Sequence, residues 1–140
     1  MFGYKNNNGV SALPTILLIS SILVEVVVVS VVLANALNNS RLNQRLATAA
    51  YSVASAGAED AILRVIRYKN CPTDPECPSS YSLAVGSRTA DVTITDNGGG
   101  IIIVESVGSA LSRQKKAQAI LGVSPITGEV SLQSFKEIAF

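Results

Sequence analysis

The chain has 140 residues, a formal net charge of +1, two cysteines and neither histidine nor tryptophan. The near-balanced charge gives no reason to expect a nucleic-acid partner, and the absence of histidine removes the commonest general base and metal ligand. Because no catalytic constellation is recognisable either, we expect a protein that is not an enzyme and that binds no metal or other cofactor.

A short polar segment, residues 1–9, ends in Gly9 directly before an apolar run over residues 10–37. A transmembrane helix needs about 20 mostly apolar residues, so this run can span a bilayer. A cleaved signal peptide has a shorter apolar core, of about 7–15 residues, and a domain this small could hardly surround so long a buried helix. We therefore predict a membrane-spanning helix. Pro14 fits it, because Ser11 as N-cap places Pro14 in the first turn, where an N–H has no helical partner.

Glu25 is the one charged residue within the apolar run and lies at its middle. A charge at this depth of a membrane costs on the order of a few kcal/mol and usually marks a partner or a function. We expect Glu25 to bind a partner during assembly. The alternative is a protonated carboxyl that is tolerated and forms a hydrogen bond within its own helix.

The helix is predicted to continue over residues 38–69, since no glycine or proline occurs between Thr15 and Ala56. Apolar and small residues follow one another at steps of three or four, which is the pattern of an amphipathic helix. The small residues of this face permit close approach of a partner, and we expect the face to serve assembly or helix packing. Its members are Leu42, Leu46, Ala50, Val53, Gly57, Ala61, Val65 and Tyr68.

Two groups of charged residues outside the apolar run call for an interpretation. Glu59 and Asp60 are adjacent on the predicted helix and point in different directions, so we expect a solvated or helix-pairing role. Arg113, Lys115 and Lys116 form a small basic cluster. We interpret this cluster as a solvated turn or edge strand rather than a site for DNA phosphates or anionic lipid.

Residues 70–80 form a predicted loop with both cysteines, Cys71 and Cys77, in the stretch CPTDPEC. A zinc site normally needs four ligands, and no others are at hand. Two prolines and two acidic residues between the cysteines suit a small disulfide-closed loop, which implies an oxidising compartment. Two free thiols in a cytosolic loop are the alternative.

Over residues 81–140 the pattern changes from helical to alternating, which predicts β-strands. Short connections, with Asp96-Asn97-Gly98 as the strongest turn signal, predict an antiparallel meander, and the amphipathic helix is the available cover for one of its faces. The expected fold class is α+β, a long N-terminal helix packed on a small antiparallel β-sheet. The strands are expected around Tyr81–Val85, Ala90–Ile94, Ile101–Val107, Ala117–Val123 and Val130–Phe135.

This plan resembles that of type IV pilins and of the pseudopilins of type II secretion. The short polar leader that ends in Gly9 resembles a prepilin leader. The segment after the anchor also resembles that of minor pilins, where an alanine-rich run precedes an A-G-x-E-x-A-type motif. Here that motif is Ala56, Gly57, Glu59 and Ala61.

The resemblance implies cleavage between Gly9 and Val10 by a prepilin peptidase, methylation, and assembly on an inner-membrane platform. It implies a structural subunit of a type IV pilus-like filament or of a type II secretion pseudopilus. The partners would be other pilin-like subunits, with the lipid bilayer around the helix before assembly. The chain would cross the cytoplasmic membrane once with its C-terminal domain outside, and would reach the cell surface in the assembled filament.

The sequence departs from the family near the cleavage site. Major pilins carry a glutamate five residues after the cut, and here that residue is Pro14, while Val10 stands in place of the usual phenylalanine. These differences suit a minor pilin or a divergent lineage of the family. They also favour Glu25 as the carboxylate that takes over the assembly role.

The charges on either side of the apolar run predict a membrane orientation opposite to the one that the leader implies. Only Lys5 precedes the run, whereas Arg41 and Arg45 follow it, and the positive-inside rule alone would place the C-terminal part in the cytoplasm. The alternative function is a single-pass anchored protein that presents a small β-domain for binding and does not polymerise.

Overall fold

The computed structural model describes residues 12–68 and 70–139. In chain order its elements are α1 (Ala12–Arg67), β1 (Ser80–Val85), β2 (Arg88–Asp96), β3 (Ile101–Ala110), β4 (Arg113–Val123) and β5 (Val130–Ile138). The chain divides into two compact units, Met1–Leu42 and Asn43–Phe140. The α+β class expected from the sequence is confirmed.

The described part of the first unit is helical and exposed along its whole length. Because α1 begins at Ala12, Pro14 falls in the first turn, and its missing N–H removes no helical hydrogen bond. The cleavage site expected between Gly9 and Val10, and the expected N-cap Ser11, lie outside the described residues.

The second unit is built from the C-terminal part of α1 and the sheet. Small residues dominate the buried stripe of this part of the helix, and their steps of three or four confirm the amphipathic pattern predicted for it. The stripe consists of Ala50, Val53, Ala54, Gly57, Ala58, Ala61 and Val65.

The five strands form one antiparallel sheet in the order β1-β2-β3-β4-β5, which is the predicted meander. In β2 the buried side chains of Ala90, Val92 and Ile94 alternate with exposed neighbours, and β3 and β4 supply further buried residues to the same core. Gly98, in the predicted turn after Asp96, has a positive φ, as does Gly86 in the turn between β1 and β2. Burial of alternate residues against α1 therefore places the core between the helix and one face of the sheet.

The basic cluster is not on an edge strand, contrary to the sequence-based interpretation. Lys115 and Lys116 lie in β4, which pairs with β3 on one side and β5 on the other. Lys116 forms an ion pair of 2.8 Å with Glu105, and Lys115 forms one with Glu137. An interior strand accommodates these lysines because each has a carboxylate partner on a neighbouring strand.

Candidate functional site

The largest exposed feature of the first unit is its apolar helix surface. Among the described residues, one helix is long and apolar enough to span a membrane, and its most hydrophobic window has a mean hydropathy of 2.9 with no part buried. The exposed fractions of its large side chains include 68% for Leu17, 64% for Val29 and 57% for Leu33. Since apolar surface of this extent is unfavourable in water, it is the first candidate site for lipid or for other subunits.

Glu25 lies exposed at the middle of this surface. Ser21, one turn earlier, donates its hydroxyl to the carbonyl oxygen of Leu18 at 3.0 Å, and Ser30 donates to that of Val26 at 2.7 Å. Within residues 12–68 and 70–139, Glu25 forms no hydrogen bond or ion pair. The structure therefore leaves its carboxylate accessible to a group from another molecule.

The residues predicted for helix packing fall into two groups. Leu42, in the first unit, is 56% exposed, and Leu46, in the second, is half-buried beside the sheet. Val53 is 2% exposed and Gly57 is buried, both against the sheet of the same chain. Val53 and Gly57 thus lie in the intrachain helix–sheet contact, while Leu42 presents most of its side chain to the surroundings.

Gly57 marks the closest approach between α1 and the middle of the sheet. A Cβ placed on Gly57 would lie 2.8 Å from Ala90 Cβ and 3.0 Å from Val92 Cγ2, and would overlap Ser106 Oγ. Ser106 is fully buried, and its hydroxyl has no hydrogen-bond partner among the described residues. The glycine is therefore required here by space rather than by backbone conformation.

Gly108 provides a second close contact from the sheet side. A Cβ on Gly108 would overlap the carbonyl oxygen of Ala50 and the backbone nitrogen of Ala54. A glycine inside a strand can signal such a close approach of another backbone. Sequence reasoning did not single out Gly108, although its position within the alternating β3 pattern contained that signal.

A polar cluster ties α1 to β1 at the edge of the helix–sheet contact. Asp60 Oδ2 accepts a hydrogen bond of 2.8 Å from Arg64 Nε and one of 2.7 Å from the Tyr81 hydroxyl. The Arg64 guanidinium lies 4.3 Å from the centre of the Tyr81 ring, which is the geometry of a cation–π contact. Arg64 also donates to the carbonyl oxygen of Glu76 at 3.0 Å, so the cluster reaches the cysteine loop.

This arrangement sets the charge state of Asp60. Partial burial by itself would raise the pKa of Asp60, but the hydrogen bonds from Tyr81 and Arg64 and the positive charge of Arg64 outweigh it and lower the pKa. Burial, followed by the hydrogen bond to Asp60, raises the pKa of Tyr81. The carboxylate is therefore ionised and the phenol neutral over the ordinary pH range, as a structural anchor requires.

The sequence indicated only part of this cluster. Asp60 and Arg64 are four residues apart on a helix, a spacing at which opposite charges meet. The Tyr81 partner lies 21 residues from Asp60, and no local pattern pointed to it. Asp60 is thus anchored within its own chain, whereas Glu59 is exposed.

Cys71 and Cys77 form the predicted disulfide. Their side chains are 8% and 0% exposed and belong to the core cluster, so the bonded loop packs against the helix and the sheet. Among residues 12–68 and 70–139, no group of three histidine, cysteine, aspartate or glutamate side chains could hold a metal ion.

Comparisons of the chain with models of known protein families, with curated proteins and with solved structures give no match. The architecture itself is one long N-terminal helix, apolar in its first part and packed by its second part on a small antiparallel sheet. This arrangement resembles the pilin fold and is compatible with a single-pass membrane anchor.

Proposed function

We propose that the chain is a structural subunit of a type IV pilus-like filament or of a type II secretion pseudopilus. The observation that supports this best is the exposed apolar surface of residues 12–37, in the same helix that packs by its C-terminal part on a β-meander. Lipid covers the apolar surface before assembly, and the equivalent helices of other subunits cover it afterwards. The proposal gives the chain no catalytic role.

The apolar surface drives the helix out of water but does not by itself select its neighbours. Burying one large aliphatic side chain is worth about 1.5–3 kcal/mol relative to water. In a membrane this gain is already provided by lipid, so helix association there depends on packing and on polar contacts. A polar group within the surface would therefore contribute more to specificity than another leucine would.

Glu25 is the group that we assign to this role. After cleavage behind Gly9, the new N-terminal amine belongs to Val10, 15 residues before Glu25. A straight helix separates the two by roughly 22 Å, so they meet only between subunits that are staggered by about that distance. Because an unpaired charge in an apolar bundle is costly, the pair favours one register of assembly over others.

The proposal implies three kinds of partner besides lipid: other pilin-like subunits, a prepilin peptidase and an inner-membrane assembly platform. Mass spectrometry of the mature N-terminus tests it directly, in cells that carry such a peptidase. We expect a chain that begins at Val10 and is recovered in sheared surface material. A chain that begins at Met1, or one cut beyond Leu37, contradicts the proposal.

A matched pair of leader variants makes this test specific. Gly9→Leu should abolish cleavage and keep the chain in the membrane fraction, because the peptidase cuts after a glycine. Gly3→Leu lies in the same leader but away from the cut and should be processed normally. Equal processing of both variants would contradict the assignment of the cleavage site to Gly9.

The second candidate is a single-pass protein that presents the β-domain for binding without polymerising. The proline at the position of the family's assembly glutamate favours it, as does the absence of any match to a known pilin family. It predicts a full-length chain that stays in the membrane fraction after shearing. The same fractionation therefore separates the two candidates.

A further inference from the structure

Two turns and one helix residue meet at one end of the second unit. An open cavity of about 340 Å³ is lined by Leu46 of α1, by residues 87–89 at the first turn of the sheet, and by Ser109 and Leu111 around the third turn. We call this region the proximal end and define it by Leu46, turn residues 86–87 and 111–112, and the flanking residues Arg45, Arg88 and Arg113.

Leu111 is the most unusual residue of the proximal end. Its side chain is 91% exposed, and its φ of 53° is the one positive value among the non-glycine residues that the structure describes. The left-handed region favours glycine, asparagine or aspartate at such a turn, and a leucine is unfavourable there. The turn thus places a large apolar side chain at its outermost point, against the preference of the backbone.

Three arginines adjoin the proximal end: Arg45 precedes Leu46 in α1, and Arg88 and Arg113 are the first residues of β2 and β4, directly after the two turns. Arg45, Arg88 and Arg113 are exposed. The ion pairs found among residues 12–68 and 70–139 involve Arg64, Lys115 and Lys116, so none of these three arginines is neutralised by an acidic side chain. Arginines at the same end as an exposed apolar side chain match the two layers of a lipid surface, phosphate outside and acyl chain beneath.

The covalent chain keeps the proximal end close to the membrane. Asn43, which opens the second unit, follows Leu37, the last residue of the apolar run, by six positions. Even fully extended, six residues span at most about 20 Å. Leu46 lies three residues further on in the helix, so the proximal end is the part of this unit that connects to the bilayer.

We propose that the proximal end docks on the anionic headgroup surface of the bilayer that holds residues 12–37. The arginines bind lipid phosphates, and Leu111 inserts at the level of the headgroups. This inference rests on the membrane anchoring within the proposed function but not on polymerisation. It also gives a reason why cationic side chains occur just after the apolar run.

The test uses the full chain in vesicles with a fluorophore at the turn. Ser112→Cys provides a single free thiol there, because the native cysteines are bonded to each other. Asn97→Cys, in the turn at the opposite end of β2 and β3, is the matched control. Label at residue 112 should be quenched by headgroup nitroxides in vesicles containing phosphatidylglycerol, but not in phosphatidylcholine alone or at high salt. Label at residue 97 should remain in water throughout.

Variants of the proximal end then separate its two components. Each basic residue near an anionic surface changes partitioning by about fivefold. The double variant Arg88→Gln/Arg113→Gln should therefore lower the ratio of the docked to the undocked state of the proximal end by about 25-fold. Arg67→Gln, an exposed arginine elsewhere in the unit, should have no effect. Leu111→Asn keeps a residue that tolerates the turn, and it should reduce quenching while the fold is retained.

Two results would overturn the proposal. One is equal water exposure of residues 112 and 97 in anionic vesicles. The other is shielding of residue 112 that grows with protein density and is indifferent to lipid charge, because that behaviour indicates contact with a second copy. Neither result bears on whether the chain forms filaments, which the shearing experiment decides separately.

Discussion

The close approach of α1 to the sheet at Gly57 can be tested by adding a single methyl group. In an exposed helix position, glycine to alanine stabilises by about 0.8–1.0 kcal/mol. At Gly57 the new Cβ would meet Ala90 Cβ at 2.8 Å and Val92 Cγ2 at 3.0 Å, and would overlap Ser106 Oγ. Ala90 Cβ is fixed to a sheet backbone and cannot rotate away. Overpacking of a core costs typically about 1–3 kcal/mol. After the gain in helix preference of about 1 kcal/mol is subtracted, Gly57→Ala should lower the free energy of unfolding by up to about 2 kcal/mol.

The assay is denaturant unfolding of the full chain in micelles, followed by the near-ultraviolet signal of tyrosines packed against the core. Ser52 provides the control, because it is exposed on the same helix. The difference in unfolding free energy between Ser52→Ala and Ser52→Gly measures the preference of the helix for alanine over glycine where no packing is involved. If Gly57→Ala is stabilising by a similar amount, the helix does not approach the sheet as closely as the structure describes.

Ser106 extends this test to a double-mutant cycle. Its buried hydroxyl lacks a partner among the described residues, and such a group costs about 1–3 kcal/mol. Ser106→Ala alone should therefore be neutral or stabilising. It also removes one of the overlaps at Gly57, so Gly57→Ala should be less destabilising in the Ser106→Ala background. Strict additivity of the two changes would show that the two residues do not touch.

Three further predictions concern charge and covalent bonding. Glu25→Gln keeps size and hydrogen bonding but removes the charge, so subunits should accumulate unassembled in the membrane; normal filament yield in a shearing assay refutes the pairing with Val10. Because the pKa of Asp60 is lowered by folding, its contribution to stability is present above the unfolded value of about 3.9 and is lost as pH falls through the folded value. In Asp60→Asn, unfolding free energy should therefore fall less steeply below about pH 4, and an unchanged slope contradicts the assignment. Replacing Cys71 and Cys77 by alanine should lower the free energy of unfolding by about 2–3 kcal/mol in denaturant titrations. Detection of two free thiols in the protein isolated from its native membrane would contradict the disulfide.

The elements of the second unit were predictable because their burial follows their sequence period. The stripe at steps of three or four predicted the buried face of α1, and the alternation of Ala90, Val92 and Ile94 predicted β2 with its turn at Asp96. Strand ends were less accurate. The structure extends β3 to Ala110. Burial continues to alternate through Gly108 and Ala110, but the small residues at 108–110 show no alternation of hydrophobicity in the sequence.

Contacts between distant residues were not predictable in the same way. The hydrogen bond from Tyr81 to Asp60 depends on the placement of β1 beside the helix, which no local pattern encodes. The edge-strand interpretation of Lys115 and Lys116 failed for a related reason. Lysine discourages pairing at an edge, but it is equally compatible with an interior strand when a glutamate of a neighbouring strand lies within diagonal reach. Glu105, whose register partner is Gln118, contacts Lys116, and Glu137, whose register partner is Ala117, contacts Lys115.

One helix covers part of a wider sheet. A helix is about 10–12 Å wide, whereas five strands at about 4.8 Å spacing form a wider surface. The helix comes closest to the sheet at small residues, since Gly57 lies next to Ala90 and Ser106. Larger side chains of the same inner strands, Val92, Ile94 and Val104 among them, are also fully buried.

The two outer strands differ in how their large side chains are covered. Tyr81 and Leu83 of β1 pack against one side of the core. On the other side, Leu132 and Phe135 pair with Leu121 and Ala119 and so share their face of the sheet. A register shift in β5 places both on that face although they are three residues apart, yet they remain 56% and 36% exposed. The second unit therefore leaves apolar side chains uncovered on both elements: Leu132 and Phe135 on β5, and Leu63 and Ile66 of α1, which are 59% and 57% exposed. These side chains stay available to other molecules.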